Sequence, residues 1–228
     1  VRPLNKTKGC LIANFATVPE NMSTRKPRQA RAKVTVDTII EAGFIAVALH
    51  GPSGTTTRHI AEIAGVSVGS LYEYFKNKEE IYDAMNHYFV SEILDMIKEL
   101  TPTILELELE PVIEMIFYTF SDLLKKNNDR YLTVLRYAGE LQYDKYIPKI
   151  EQALMEVIMK YMMHNPKYLK INNLPVITYI CINSGIFNVA RHLILPNPFI
   201  SFDEMVQGLT TMIMSYINTE MARSEDQS

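Results

Sequence analysis

Cysteine is almost missing from this chain of 228 residues, where Cys10 and Cys181 are the only two. One stands in a polar N-terminal stretch and the other in an apolar run. A disulfide-stapled secreted framework is therefore a poor description, and a reducing compartment, the cytoplasm, is expected. Long apolar runs are missing too, since a membrane span needs roughly 18 to 20 such residues in succession. The nearest approach, VITYICINSGIFNVARHLIL from Val176 to Leu195, is interrupted by Asn183, Asn188, Arg191 and His192. A buried helix explains it better, and no membrane partner is expected. The apolar patch from Cys10 to Ala16 is too short and broken for a signal peptide. Residues 1–22 are expected to be a disordered tail or extension, because Met22 opens MSTRKPRQAR, which resembles a natural chain start.

The side-chain sets that carry catalysis are equally lacking. The five histidines are scattered, no His/Cys/Asp group has metal-ligand spacing, and no serine lies in a nucleophile elbow. No catalytic residue, metal or cofactor is expected. One stretch, FIAVALHGPSGTTTRHIAEIAGV from Phe44 to Val66, has the outline of a strand, a glycine loop and a helix, as in a phosphate cradle. A cradle of the P-loop type needs a lysine and a hydroxyl directly after its second glycine. Gly54 is followed instead by Thr55 and Thr56, and Gly51 lies only three positions earlier. A nucleotide-dependent enzyme is thus the weakest reading of that loop.

Sustained strand alternation is also absent, and nearly every patterned segment has the 3.6-residue period of a helix. An all-α protein follows. A first helix is expected from about Arg28 to Leu49, with Val36, Ile40, Phe44 and Val47 on one face and Gly51 and Pro52 as its stop. A second, capped by Thr56 or Thr57, runs to Ala64, with Ile60, Ala61, Ile63 and Ala64 facing inward. After the turn at Gly65 and Val66, Ser67 caps a third helix from Val68 to Phe75, whose Leu71 and Phe75 point into the core. Asn77 and Glu80 have capping-box spacing and open a long fourth helix to about Leu100. Further helices are expected over residues 112–126, 131–141, 146–164, 175–195 and 202–221, punctuated by prolines.

Charge divides the chain unevenly. Up to Tyr82 there are 11 basic and 7 acidic residues, and from Asp83 onward 12 basic and 19 acidic. The first part suits a polyanion and the second would be repelled by one. Helix, short helix, AGVS turn and short helix is the helix-turn-helix plan, which presents its last helix to the DNA major groove.

The segment GTTTRHIAEIAGVSVGSLYEYFKNKEEIYDAM, Gly54 to Met85, resembles the N-terminal signature of the tetracycline-repressor (TetR) family of bacterial transcription regulators. The matching elements are Thr-Thr before the second helix, Ile-Ala within it, Ala-Gly-Val-Ser at the turn, Leu-Tyr-x-x-Phe in the recognition helix and Lys-x-Glu after it. With the first helix included, the resemblance covers about 55 residues. Pro52 stands where the family usually has an aromatic, and Val47 where phenylalanine is frequent. The resemblance implies a helix-turn-helix DNA-binding domain over residues 23–82 and a larger helical effector-binding and dimerisation domain over residues 83–228.

Particular residues acquire roles on this reading. Thr56 and Thr57 place hydroxyls and free N–H groups at a helix start, a seat for a phosphate oxygen or simply a cap. Arg58 reaches either DNA or Glu62, four residues on. Ser67, Val68, Gly69 and Ser70 form the leading end of the recognition helix, where Gly69 permits close approach and Val68 suits a thymine methyl group. Tyr72 and Tyr74 flank the buried stripe and look outward, and in the resembled family these positions touch DNA. Lys78 is a further phosphate candidate. Arg28 and Arg31 belong to an acid-free basic arm, STRKPRQARAK, which suits a minor groove or remains a solvated tail.

The rest resembles the family in architecture only. The middle helices carry Phe117, Tyr118, Phe120, Tyr131, Tyr137, Met155, Met159, Met162 and Met163, residue types that line adaptable apolar pockets and also fill ordinary cores. The resemblance favours a pocket for a largely apolar small-molecule effector, with Phe117, Phe120, Tyr137, Glu140, Tyr179, Asn183 and Phe187 as candidate contacts. Arg136 and Glu140 are also read as a surface pair, and Asn183 as a satisfied core amide. The last two helices are expected to pack against their copies in a homodimer, with Ser184 and Gly185 admitting a neighbouring helix. The protein so implied is a ligand-responsive repressor on a near-palindromic double-stranded operator. A DNA-binding adaptor whose C-terminal domain docks a protein is the alternative.

Overall fold

The structure is a computed structural model describing residues 25–171 and 173–225, except for the side chains of residues 25–29, 127, 128 and 225. The tail expected over residues 1–22 and the side chain of Arg28 lie outside the described residues. The chain falls into two compact units, residues 1–36 and 37–228. Eight α-helices and two short 3-10 turns make up the described residues, and no strand occurs among them.

Helix α1, Arg25–Gly54, breaks its helical geometry at Gly51, where φ is 66°. The expected stop is thus real, and Pro52 begins a last turn that carries the chain to Gly54. Ile40, Phe44 and Val47 are buried as their spacing requires. Helix α2, Thr57–Ala64, is capped by Thr56, whose hydroxyl accepts from the His59 N–H at 3.2 Å. It ends at Gly65 with φ 67°, and the Val66 N–H returns to the Ala61 carbonyl at 3.0 Å. That closure needs a left-handed residue, which glycine supplies without strain. Ile60 and Ala61 are buried, but Ile63 is 37% exposed. The expectation for Ile63 is therefore corrected: on so short a helix the core reaches only the arc around Ile60, and Ile63 lies on its outer flank.

Helix α3, Val68–Tyr72, is shorter than the expected span to Phe75. The chain still coils beyond it, since the Tyr74 and Phe75 N–H groups both donate to the Leu71 carbonyl at 3.0 Å. Leu71 and Phe75 are buried as expected. Asn77 caps α4, Lys78–Glu106, by accepting from the Glu80 N–H at 2.9 Å, while the Glu80 carboxylate accepts from the Lys76 N–H at 2.8 Å. Pro102 does not end this helix, which continues past the expected Leu100 because Ile104 remains in the core. Its inner stripe of Ile81, Met85, Phe89, Ile93 and Ile97 repeats every four residues.

The remaining helices are α5 (Leu109–Arg136), α6 (Ile147–His164), α7 (Leu174–Ile194) and α8 (Phe202–Glu225). Helix α5 replaces the two helices expected over residues 112–126 and 131–141. The polar interruption that suggested a break survives as one left-handed residue, Asp129 with φ 59°, inside a continuous helix. Beyond α5 the chain forms turns and a 3-10 turn, Tyr143–Tyr146, so Arg136 and Glu140 do not share a helix face. Helices α4 to α8 pack on one another, with α5 lying against α4, α7 and α8.

The linkage between α1 and α5 is built from charge and rings. Arg130 pairs with Glu41 and lies over the rings of Phe44, Tyr88 and Tyr131 at 5.2, 5.5 and 4.9 Å. Tyr131 in turn stacks on Phe89 of α4 with centroids 4.5 Å apart. Burial pushes the Tyr131 phenol up to about 12, although the Arg130 hydrogen bond pulls it the other way. It remains a neutral, packed phenol.

Candidate functional site

Two places in the molecule combine accessible chemistry with a defined framework. The first is the outer face of α2 and α3. Ser67 starts α3 by accepting from the Ser70 N–H at 3.0 Å, and its own hydroxyl donates to the Ser70 Oγ at 2.9 Å. Val68, Gly69 and Ser67 are exposed, and Ser70 is half-buried. Tyr72 is 51% and Tyr74 36% exposed, so neither ring is needed by the core. The Tyr72 hydroxyl lies 3.1 Å from the Thr57 hydroxyl, joining α3 to the start of α2. These groups form one polar face, because buried Leu71 and Phe75 fix the rotation of α3.

The basic residues behave differently from one another. Arg58 is exposed and pairs with Glu62 through its Nε at 3.0 Å, the ion pair that their spacing suggested. An exposed pair of this kind is worth only about 0.3–0.5 kcal/mol, so the guanidinium is easily released to another anion. Arg31 is exposed on α1. Lys78 is half-buried and donates to the Pro52 and Thr55 carbonyls, both at 3.2 Å. Its ammonium thus ties the start of α4 to the loop after α1. The Tyr82 hydroxyl donates to the same Pro52 carbonyl at 2.8 Å, and burial pushes that phenol above its ordinary range.

The glycine loop after α1 does not have the form of a phosphate cradle. Residues 39–50 are helical rather than extended, so no strand feeds it. The Thr55 hydroxyl and N–H both close on the Gly51 carbonyl, at 2.7 and 3.0 Å. It is a connection between two helices.

The second place is a cavity of about 400 Å³ enclosed by α4, α5, α6 and α7, with contributions from the segment before α6 and from α8. That volume lies in the range of small-molecule sites, roughly 300–1,000 Å³. Aliphatic and aromatic side chains make most of its wall. Of the candidate contacts, Phe117, Phe120, Asn183 and Phe187 line it. Tyr137, Glu140 and Tyr179 do not. Tyr137 packs against Gly51, Glu140 accepts from the Ser53 hydroxyl at 3.1 Å, and Tyr179 faces outward on α7. These three depart from expectation because the end of α5 at Arg136 sends the first two toward the α1 loop, and helical rotation turns the third away from the bundle. Among the other aromatic and sulfur side chains, Met162 reaches the wall, while Tyr118, Tyr131, Met155, Met159 and Met163 do not.

Asn183 donates to the Glu151 carboxylate at 2.9 Å and to the Tyr179 carbonyl at 3.0 Å, so it is a satisfied amide as well as a wall residue. Gly185 is buried, and a Cβ built on it would lie 2.6 Å from a ring carbon of Phe117. The small residue is thus required by a ring of the same chain. Cys181 also borders the cavity, with burial pushing its thiol up to about 11. Tyr143 and Asp144, wall residues that sequence reasoning missed, come from the 3-10 turn before α6. Only their position beside α4 marks them, and no periodicity announces it.

The capped short helix, its tight glycine turn and its solvent-facing rings define a helix-turn-helix DNA-binding regulator. Residues 39–85 match the sequence profile of bacterial regulatory proteins of the tetR family. Among solved structures, the fatty acid degradation regulator FadR from Bacillus halodurans has a TM-score of 0.65 at 17% identity, over 78% of this chain and 94% of the other. A TetR family transcription regulator from Marinobacter aquaeolei has a TM-score of 0.59 at 17% identity, over 81% and 96%. At such identities the likeness is one of fold. No curated protein matches the chain. No helix among the described residues is long and apolar enough to cross a membrane.

Proposed function

We propose that this regulator is a cytoplasmic, homodimeric, ligand-responsive repressor that binds a near-palindromic operator through the face built from Thr56, Thr57, Arg58, Ser67, Val68, Gly69, Ser70, Tyr72 and Tyr74. The observation that carries the reading is the pair of exposed phenols, Tyr72 and Tyr74, on a capped helix whose opposite side is buried. Lys78 supports this face by holding the loop carbonyls, and Arg28 and Arg31 supply the basic arm.

Pairing is supported by α7. Val176, Ile180 and Phe187 repeat along it at spacings of four and seven with their apolar surface open, and Tyr179 and Met212 of α8 are open as well. An apolar face of this kind is costly in water and is covered by a second copy. Two reading heads then grip half-sites about 34 Å apart, which gives a small module its specificity.

The cavity is the effector site, and its apolar wall favours a small molecule over a docked protein. One neighbour by fold is named a fatty acid degradation regulator, which agrees with a hydrocarbon effector. Coupling runs through residues 137–146. Tyr143 borders the cavity, the Leu141 carbonyl accepts from Asn86 of α4 at 2.7 Å, and Glu140 and Tyr137 touch the α1 loop at Ser53 and Gly51. A guest that displaces Tyr143 shifts this segment, and with it the loop and α4 that carry the reading head.

Selection of bound fragments from a genomic DNA pool tests the proposal, followed by footprinting of the recovered site. Two protected half-sites of related, inverted sequence are expected. A single unsymmetrical footprint would overturn the dimeric reading, and an inducer that binds tightly without altering DNA affinity would overturn the coupling.

A further inference from the structure

Tyr143 is 6% exposed and borders the cavity, and its hydroxyl makes no hydrogen bond among the described residues. Unlike the sealed hydroxyls of Ser121 and Thr210, it keeps accessible surface. Three other polar groups of the wall are engaged. The Tyr161 hydroxyl donates to the Leu107 carbonyl at 3.1 Å, the Thr178 hydroxyl to the Leu174 carbonyl at 2.8 Å, and the Asn183 amide to Glu151. The Lys167 ammonium lies over the Tyr168 ring, 5.0 Å from its centroid. The Tyr143 hydroxyl therefore remains for a guest.

Charge on the wall is just as restricted. Asp144 is its one charged residue among those described, and no lysine, arginine or histidine borders the space. Glu151 stands behind Asn183 and adds a second negative group. The neighbouring cations are committed elsewhere, Lys145 to Asp83 and Lys167 to Glu108. A carboxylate brought into this space meets no counter-charge and loses its water, which is strongly unfavourable in an apolar interior. An ester, amide or alcohol needs only one hydrogen-bond partner.

We propose that the effector is an uncharged hydrocarbon-chain compound, an ester, amide or alcohol, whose polar end is hydrogen-bonded by the Tyr143 hydroxyl, and that the corresponding carboxylate is rejected. This rests on reading the cavity as the effector site. Burial pushes the Tyr143 phenol above its ordinary range, so it stays protonated and able to donate. The aliphatic wall, with Ile93, Ile97, Ile113 and Ile116 among its members, accepts the chain without any directional demand.

The test uses the full chain, freed of bound lipid, with methyl palmitate, hexadecanol, palmitate and hexadecylamine as probes above neutral pH. Thermal melting and native mass spectrometry report binding. Methyl palmitate and hexadecanol should raise the melting temperature and appear bound, with palmitate at least about tenfold weaker. Tyr143→Phe should weaken the ester about fivefold, the loss of one neutral hydrogen bond, while its melting temperature without ligand stays near that of the parent. Palmitate or hexadecylamine binding as tightly as the ester, or an ester affinity untouched by Tyr143→Phe, overturns the assignment while leaving the cavity as an effector site. If no probe binds, the hydrocarbon-effector reading falls with it.

Discussion

Asn86 of α4 donates its side-chain amide to the Leu141 carbonyl at 2.7 Å, joining the long helix to the segment that borders the cavity. Asn86 is buried, and its Oδ1 has no hydrogen-bond partner. Removing the amide leaves the Leu141 carbonyl without its partner. Asn86→Ala should cost about 1–3 kcal/mol of stability and blunt the release of DNA by effector, read by urea unfolding and by operator titration with and without ligand. An intact effector response in a correctly folded variant would remove this bond from the coupling path.

The recognition face makes a second prediction, in which general affinity and sequence preference separate. Tyr72→Ala should weaken binding to all sequences, and Ser70 substitutions should change the preference at one base position by about 1–3 kcal/mol. Gel-shift titration over a set of single-base operator variants measures both. Unchanged behaviour in the two variants would move the contact surface elsewhere.

Lys78 and Arg58 should differ in their salt response. Loss of a phosphate contact lowers the slope of log affinity against log salt by about 1. Arg58→Ala should do so, since its guanidinium is held only by an exposed pair. Lys78→Met should lower the melting temperature and leave the slope unchanged, because its ammonium is bonded to the Pro52 and Thr55 carbonyls.

Asp83 links stability to pH. Its hydrogen bonds from Lys145 and Tyr146 hold its carboxyl below the ordinary carboxylate range. A lowered folded pKa means that the stabilisation is complete above the ordinary value of about 3.9 and is lost as pH falls through it toward the folded value. The side chain is partly open to water, so the contribution is only about 0.5 kcal/mol. Asp83→Asn should be less stable by that amount at neutral pH and should approach the parent below about pH 3, measured by urea unfolding across the acid range. A constant difference at every pH would mean that packing, rather than the charge, is responsible.

The α7 face and the cavity can be tested apart. Ile180→Glu places a charge on the open apolar face without touching the cavity wall, and it should yield a monomer in sedimentation analysis that binds operator far more weakly. Gly185→Ala acts on the other side. Its new methyl group displaces the Phe117 ring toward the cavity, so effector binding should fall and stability should drop by about 1–3 kcal/mol. A dimeric Ile180→Glu protein would relocate the interface.

The helix-turn-helix was legible in the sequence because its determinants are local. A cap at Thr56 or Ser67, a left-handed turn at Gly65 and the one-turn spacing of Leu71 and Phe75 each act within a few residues, and backbone geometry converts them directly into structure. The same locality accounts for most helix boundaries. It failed at residues 126–131, where polar residues suggested a break that tertiary packing overrode, leaving only Asp129 irregular.

The cavity obeyed a different logic. Tyr, Phe and Met at helical spacing suit a filled core as well as a pocket, and only the relative placement of α4, α5, α6 and α7 separates Phe117 and Phe120, which border the space, from Tyr131, which fills the core. Tyr137 and Glu140 turned toward the α1 loop because α5 ended at Arg136, and Tyr143 took their place at the cavity. Caps, turns and periodicity write themselves into neighbouring residues. An enclosed space belongs to no one segment, so it came into being only when distant helices met.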